Sequence, residues 1–433
     1  MKHRVSRRTA LGLGALGAGS LAILSACSTS TGGSGGSGTA GGQTTLWYWP
    51  EGFDEAIVAD VEKSFPDAGF RQVIQGGDFK QKLQTTLQAG SGLPNLTGIK
   101  GEDIAHFASV PEFFVDLNEL GAEEHRSAFV DWKWAQATTA DGKQLGIPID
   151  IGPTALFYRF DTFEKHGLPS DPAEVSAALK DWDAYIDFGT QLHEADPEIF
   201  MVRNLASIFR LAQQQSGQSF IDESGSYIGD GDHVRAAWDL VVRVQQAGIN
   251  AAIEPNTADS SAAIAAGKLP ADPGASWHLA DLIADAPDTS GNWHVATHPG
   301  EATNRGGSFL GIPAKGEDHE TAFEIILQLL NASNQAKEYV HSGNFPANIK
   351  AQQDDKVTGE VEFLGGQKAG EVFAEAATTV RPLFEDPRDG TVNGPFYAEL
   401  QLIESSGKDP EQAWTDAVTE SKRLAEQNGV TVA

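Results

Sequence analysis

From Thr45 onward the chain repeats one pattern, a short apolar run followed by a stretch with helical periodicity, and this alternation narrows the fold more than any other feature. Thr45-Leu46-Trp47-Tyr48-Trp49 reads as an aromatic strand bounded by Pro50 and Gly52. Ile57, Val58, Val61 and Phe65 then recur at helical spacing. A second strand, Phe70 to Ile74, leads into Gly76-Gly77-Asp78, where Asp78 and Gln81 form a capping-box pattern ahead of a helix whose apolar face is Phe79, Leu83 and Leu87. Further on, Leu145 to Ile151 and Ala155 to Arg159 read as strands, while Val234, Ala237, Trp238, Val241 and Val242 mark one helix and Phe323, Ile326, Leu327 and Leu330 another. Strand and helix in alternation imply an α/β fold with parallel sheets covered on both faces.

The N-terminus follows a different logic. Lys2, Arg4, Arg7 and Arg8 precede an uncharged apolar run from Ala10 to Leu24, the layout of an export signal. The run falls short of the ~20 apolar residues that span a bilayer. Ser6-Arg7-Arg8-Thr9-Ala10-Leu11 resembles a twin-arginine signal, with Sec export as the alternative, and Leu24-Ser25-Ala26-Cys27 matches the lipobox that makes a cysteine the lipidated first residue of a mature chain. Residues 1–26 are thus a signal peptide. Residues 27–43, a Ser/Gly/Thr tract after Cys27, are a flexible tether with an r.m.s. span on the order of 20 Å.

Removing residues 1–26 from the 433 leaves 407 and takes away four positive charges, so the formal charge of −29 becomes −33. Such a surface repels nucleic acid and anionic headgroups, and argues for solubility and a neutral or cationic ligand. Cys27 is the only cysteine, which rules out an intramolecular disulfide and leaves neither a catalytic thiol nor a zinc-thiolate site available. The 11 His show no paired metal spacing such as HExxH, and no GxxxxGK[ST] loop is present. No cofactor or metal is expected.

A body of this length exceeds the ~250–300 residues that one core usually serves. No linker or internal repeat divides it after residue 44, so the chain must cross between two lobes more than once. Gly146 to Pro153 and Gly306 to Pro313, both extended, apolar and rich in Gly and Pro, are the candidate crossings.

The chain resembles the family 1 extracellular solute-binding proteins of carbohydrate ABC transporters, relatives of maltose-binding protein. The likeness rests on the aromatic first strand Leu46 to Trp49, on LQAGSGLPNL at Leu87 to Leu96, and on GIPIDIGPTALFYRFDTFEKHGLP at Gly146 to Pro169. It continues in GASW at Gly274 to Trp277, GGSFLGIPAKG at Gly306 to Gly316 and SGNFPANI at Ser342 to Ile349. The resemblance implies a two-lobed periplasmic-binding-protein (Venus flytrap) fold, each lobe a mostly parallel sheet flanked by helices, closing about hinge crossings. By that analogy residues 44–148 and 310–365 form lobe 1, and 149–309 and 366–433 form lobe 2. It further implies a monomer, lipid-anchored through Cys27 outside the cytoplasmic membrane, that captures a carbohydrate, an oligosaccharide, and hands it to permease subunits without acting as an enzyme.

Sugars are held by flat aromatic faces and by side chains that donate and accept hydrogen bonds at the hydroxyls. Trp277 of GASW corresponds to a cleft tryptophan of the family, and Phe396 and Tyr397 to its late aromatic position; of these two Phe396 is preferred. Trp49 ends the first strand and Glu51 follows it, at the sheet end where α/β proteins bind ligands, though both could be rim residues. Glu102 matches an acidic sugar contact, with Asp103 as a helix cap. Asp150 lies in the first crossing and could instead stabilise a turn. Asp78 has its capping role as the alternative, and Asn204 marks the second lobe's polar contacts. Two other readings compete: a receptor for a cationic ligand such as a polyamine, suited to the negative charge, and a secreted glycoside hydrolase, which would need two carboxylates flanking the bond.

Overall fold

The computed structural model describes residues 43–50 and 52–432. The export signal, Cys27, the tether and Glu51 lie outside the described residues. One sheet has five strands in the order β2-β1-β3-β9-β4, built from β1 (Thr45–Tyr48), β2 (Arg71–Ile74), β3 (Leu96–Ile99), β4 (Ile147–Pro148) and β9 (Phe309–Gly311). The other has three, in the order β7-β6-β8, from β6 (Thr154–Arg159), β7 (Ala271–Ala275) and β8 (Trp293–Ala296). Between them β5 (Asp150–Ile151) pairs antiparallel with β10 (Phe345–Pro346).

The first βαβα run forms as its pattern dictates. In α1 (Glu55–Ser64) the buried residues are Ile57 and Val61, one turn apart, each contributing about 1.5–3 kcal/mol by burial. Asp78 caps α2 (Phe79–Ala89) by accepting from the Gln81 amide at 3.0 Å, and the helix buries Phe79, Leu83 and Leu87. Every residue of β6 is buried. Its side chains alternate between two cores, Ala155 and Phe157 in one and Leu156 and Tyr158 in the other, as the two-residue period of a strand requires.

Among the named strands of the described residues, β1-β2 and β1-β3 pair parallel; β3-β9 and β4-β9 are antiparallel, and so is every pair of the three-stranded sheet. The expectation of a mostly parallel sheet in each lobe therefore needs correcting. The reason is the crossing topology: β6 carries the chain away from the five-stranded sheet, β8 carries it back, and β9 re-enters that sheet against its direction.

The outgoing segment 149–154 and the returning segment 303–308 are laced together. The Ile149 amide donates to the Ser308 carbonyl at 2.8 Å, and Arg305 to the Gly152 carbonyl at 2.8 Å. The Gly152 amide donates to Asn304 Oδ1 at 2.8 Å. Glycine is needed at this contact, since a Cβ on Gly152 would lie 1.9 Å from the Arg305 carbonyl, and one on Gly307, at φ +74°, 2.6 Å from the Asp150 carbonyl. Gly152→Ala should destabilise the protein by about 1–3 kcal/mol or more through overpacking. Gly390→Ala, where a Cβ would meet nothing within 4 Å, should leave denaturant unfolding within about 0.5 kcal/mol of wild type.

Candidate functional site

A cleft of about 810 Å³ opens at the carboxyl end of β1, beside the laced crossings. It brings together four of the residues singled out from sequence: Trp49, Glu102, Asp150 and Trp277. Trp49 follows the last residue of β1; its ring stacks on Tyr48 at 3.8 Å between centroids and meets the edge of Phe79 at 5.8 Å. Gly98 on β3 makes space for it, because a Cβ there would come within 2.5 Å of the indole. Glu102 lies in the first turn of α3 (Gly101–Ala108), where the helix dipole favours a carboxylate. Asp103 caps nothing and pairs instead with Lys80 at 2.8 Å.

Asp150 is buried, and its Oδ1 accepts the Ser308 amide at 2.7 Å. Burial pushes its carboxyl up to about 6, against the pull of Lys133. Lys133, in the short helix α4 (Asp131–Gln136), has no exposed surface. Its ammonium donates to Gln136 Oε1 at 2.8 Å and to the Gly306 carbonyl at 3.3 Å, and sits 4.2 Å from the Phe309 ring. Burial pushes it down to about 8, opposed by Asp150, Glu385 and Glu102. Lys133 gave no signal in the sequence because its position on a single helical turn, facing inward, depends on the return crossing.

Trp277 precedes helix His278–Asp285 and donates from Nε1 to the Arg305 carbonyl at 3.2 Å. The Arg305 guanidinium lies 5.3 Å from its ring. A second cavity, about 550 Å³, adjoins the same α3 and return crossing, and is lined by Trp132, Gln136, Gln214, Asn304, Phe384 and Glu385 among others. Trp132 and Phe384, the latter 41% exposed, are aromatic walls that sequence reasoning missed, since neither falls in a stretch with a recognisable pattern.

Three expectations are corrected. Phe396 has no exposed surface and packs among Phe209, Phe220, Trp238 and Trp414, so it is core; its neighbour Tyr397 is the partly open one, with Arg210 5.3 Å from its ring. Asp78 lines neither cavity and is engaged as the α2 cap. Asn204 is buried and caps helix Leu205–Gln215, accepting from the Ser207 amide at 3.0 Å and hydroxyl at 2.6 Å. Both are short polar residues preceding helices, where capping chemistry prevails. Among the described residues no His/Cys/Asp/Glu cluster could hold a metal, and no helix is long and apolar enough to cross a membrane.

Two sheets joined by laced crossings around a cleft lined with indoles and carboxylates define a two-domain solute-binding protein. The chain belongs to the bacterial extracellular solute-binding protein family, whose model matches residues 56–364. It is 24% identical over 375 residues to a lactose-binding protein of Rhizobium radiobacter, covering 81% of this chain and 86% of that one. To an arabinooligosaccharide-binding protein of Halalkalibacterium halodurans it is 22% identical over 324 residues, covering 69% of each. Among solved structures, an extracellular solute-binding protein of family 1 superposes with a TM-score of 0.83 at 26% identity, over 88% of this chain and 99% of that one. The galacto-N-biose-/lacto-N-biose I-binding protein of a Bifidobacterium longum ABC transporter, in complex with lacto-N-biose, gives 0.74 at 20% identity, over 90% and 98%.

A raised carboxyl value has a defined consequence for stability. Protonated Asp150 contributes most below about pH 4, and that contribution is lost as the pH rises through about 6. Asp150→Asn should therefore match wild type near pH 3.5 and exceed it by about 3 kcal/mol above pH 6.5, read by denaturant unfolding across that range. A constant difference would show that Asp150 is not titrating as described.

Proposed function

We propose that this chain is the capture component of an ABC importer, enclosing a carbohydrate, an oligosaccharide, between two lobes and delivering it to permease subunits. The observation that carries this reading is the placing of Trp49 and Trp277, from opposite ends of the fold, on one cleft with Glu102 and Asp150. Indole faces suit the C–H faces of a pyranose, and carboxylates suit its hydroxyls. The names of the two curated relatives, binders of lactose and of arabinooligosaccharide, support the same class.

The reading extends to the organisation expected from sequence: lobe 1 from 44–148 and 310–365, lobe 2 from 149–309 and 366–433, and a monomer exported and held outside the cytoplasmic membrane by a lipid on Cys27. The reading is one of binding and not of hydrolysis, and the engagement of the cleft carboxylate Asp150 by backbone in the crossing supports it. The second cavity, walled by Trp132 and Phe384, gives room for more than one sugar unit.

A thermal-shift screen against mono- and oligosaccharides should find a sugar that raises the melting temperature by mass action. Small-angle scattering should then show a smaller radius of gyration with that sugar bound, and unchanged dimensions would overturn lobe closure. Trp277→Ala should weaken its affinity by about 0.5–1.5 kcal/mol beyond the area lost; undiminished affinity would remove Trp277 from the site.

A further inference from the structure

Beside the cleft, around β7, the protein carries more positive charge than the local carboxylate balances. Asp272 Oδ2 takes both Arg203, at 3.0 Å, and His278 Nδ1, at 2.9 Å. Gly274 permits this, since a Cβ there would lie 2.1 Å from the imidazole. Arg305 reaches His278 Nε2 at 3.4 Å. A guanidinium can only donate, so His278 is the Nδ1–H tautomer and passes its own hydrogen bond to Asp272. Burial would raise the Asp272 carboxyl, but Arg203, His278 and Arg305 hold it well below the ordinary range. One carboxylate thus answers three guanidiniums: Arg203, Arg305 and Arg210.

Among the described residues neither Arg305 nor Arg210 has a carboxylate at ion-pair distance. Each is held against an aromatic face instead, Arg305 on Trp277 and Arg210 on Tyr397, both at 5.3 Å. They are near enough that repulsion from Arg210 adds to burial in lowering Arg305. Arg305 thereby stands against an indole that lines the cleft. Arg305 sits between Asn304, which lines the second cavity, and Gly306, which lines the first. Gln214, one turn beyond Arg210 on the same helix face, lines the second cavity, and its buried Oε1 has no partner.

Planar donor forks on aromatic supports, with no carboxylate at ion-pair distance, suit an external oxyanion. We infer that the captured saccharide is acidic, its oxyanion (a uronate carboxylate, or a sulfate or phosphate ester) received by Arg305 and Arg210 while its ring packs on Trp277. This rests on the carbohydrate reading and narrows it to a charged substrate class, against the neutral or cationic ligand that net charge suggested.

The test is calorimetric titration of the mature chain with galactobiose and cellobiose, with digalacturonate and cellobiouronate, and with the 6-sulfate and 6-phosphate of galactose. An acidic member should bind at least about ten-fold tighter than the neutral ones at low salt, with the margin shrinking as salt rises; the uronate and ester arms identify which oxyanion fits. Arg210→Gln and Arg305→Gln should each erase most of that margin. Arg210 is exposed, so its variant remains informative where Arg305→Gln disturbs the His278 network and the fold. Neutral sugars binding as tightly as acidic ones, or a margin untouched by Arg210→Gln, overturns the acidic assignment and leaves the carbohydrate reading standing. Binding of no saccharide of either kind overturns both.

Discussion

The close backbone approach between the outgoing crossing at Asp150–Gly152 and the return at Arg305–Ser308 is the contact on which the rest of the molecule depends. Without side chains at Gly152 and Gly307, two strands can run near enough to exchange amide bonds. That lacing sets where the sheets sit, places Asp150 at the base of the cleft, and puts the Arg305 carbonyl within reach of the Trp277 indole. It also creates a buried polar problem, which Lys133 answers from α4 by bonding the Gly306 carbonyl beside Asp150. The energetics of such a pair are finely balanced, because burial disfavours each charge while the neighbour favours it.

Much of this architecture was legible from residue order alone, and the legible part has a common cause. Helices such as α1 and α2 declare themselves because their buried residues must recur each turn, and the crossings because Gly, Pro and apolar residues coincide in few other settings. Trp49 was singled out because it ends a strand and Asp150 because it lies in a crossing, whereas Glu102 and Trp277 were singled out by the family resemblance; all four line the cleft. Strand polarity was not legible: nothing within β6, β7 or β8 records which way a neighbour runs, and only the out-and-back course of the chain decides it. Phe396 failed for a related reason. Adjacent aromatics on one helix point apart by about 100°, and whether Phe396 or Tyr397 faces the core depends on where Phe209 and Trp238 lie.

Net charge and the charge that a ligand meets are different quantities, and the reason is a matter of range. A formal charge of −29 describes carboxylates spread over the whole surface, and at physiological salt each is screened within about 8 Å. What a ligand meets in a cleft is set by the few groups inside that distance. Around β7, beside the cleft, these are Arg203, Arg210, Arg305 and Asp272, the last engaged by Arg203 and His278, while the cleft itself is lined by Lys100, Glu102, Asp150 and Asp281. The acidic exterior then acts on solubility and encounter, while the cleft selects. Under the acidic-saccharide proposal Trp277 and Tyr397 add a second condition, since each has a guanidinium 5.3 Å from its ring and would reward a ligand that brings an apolar ring together with its charge.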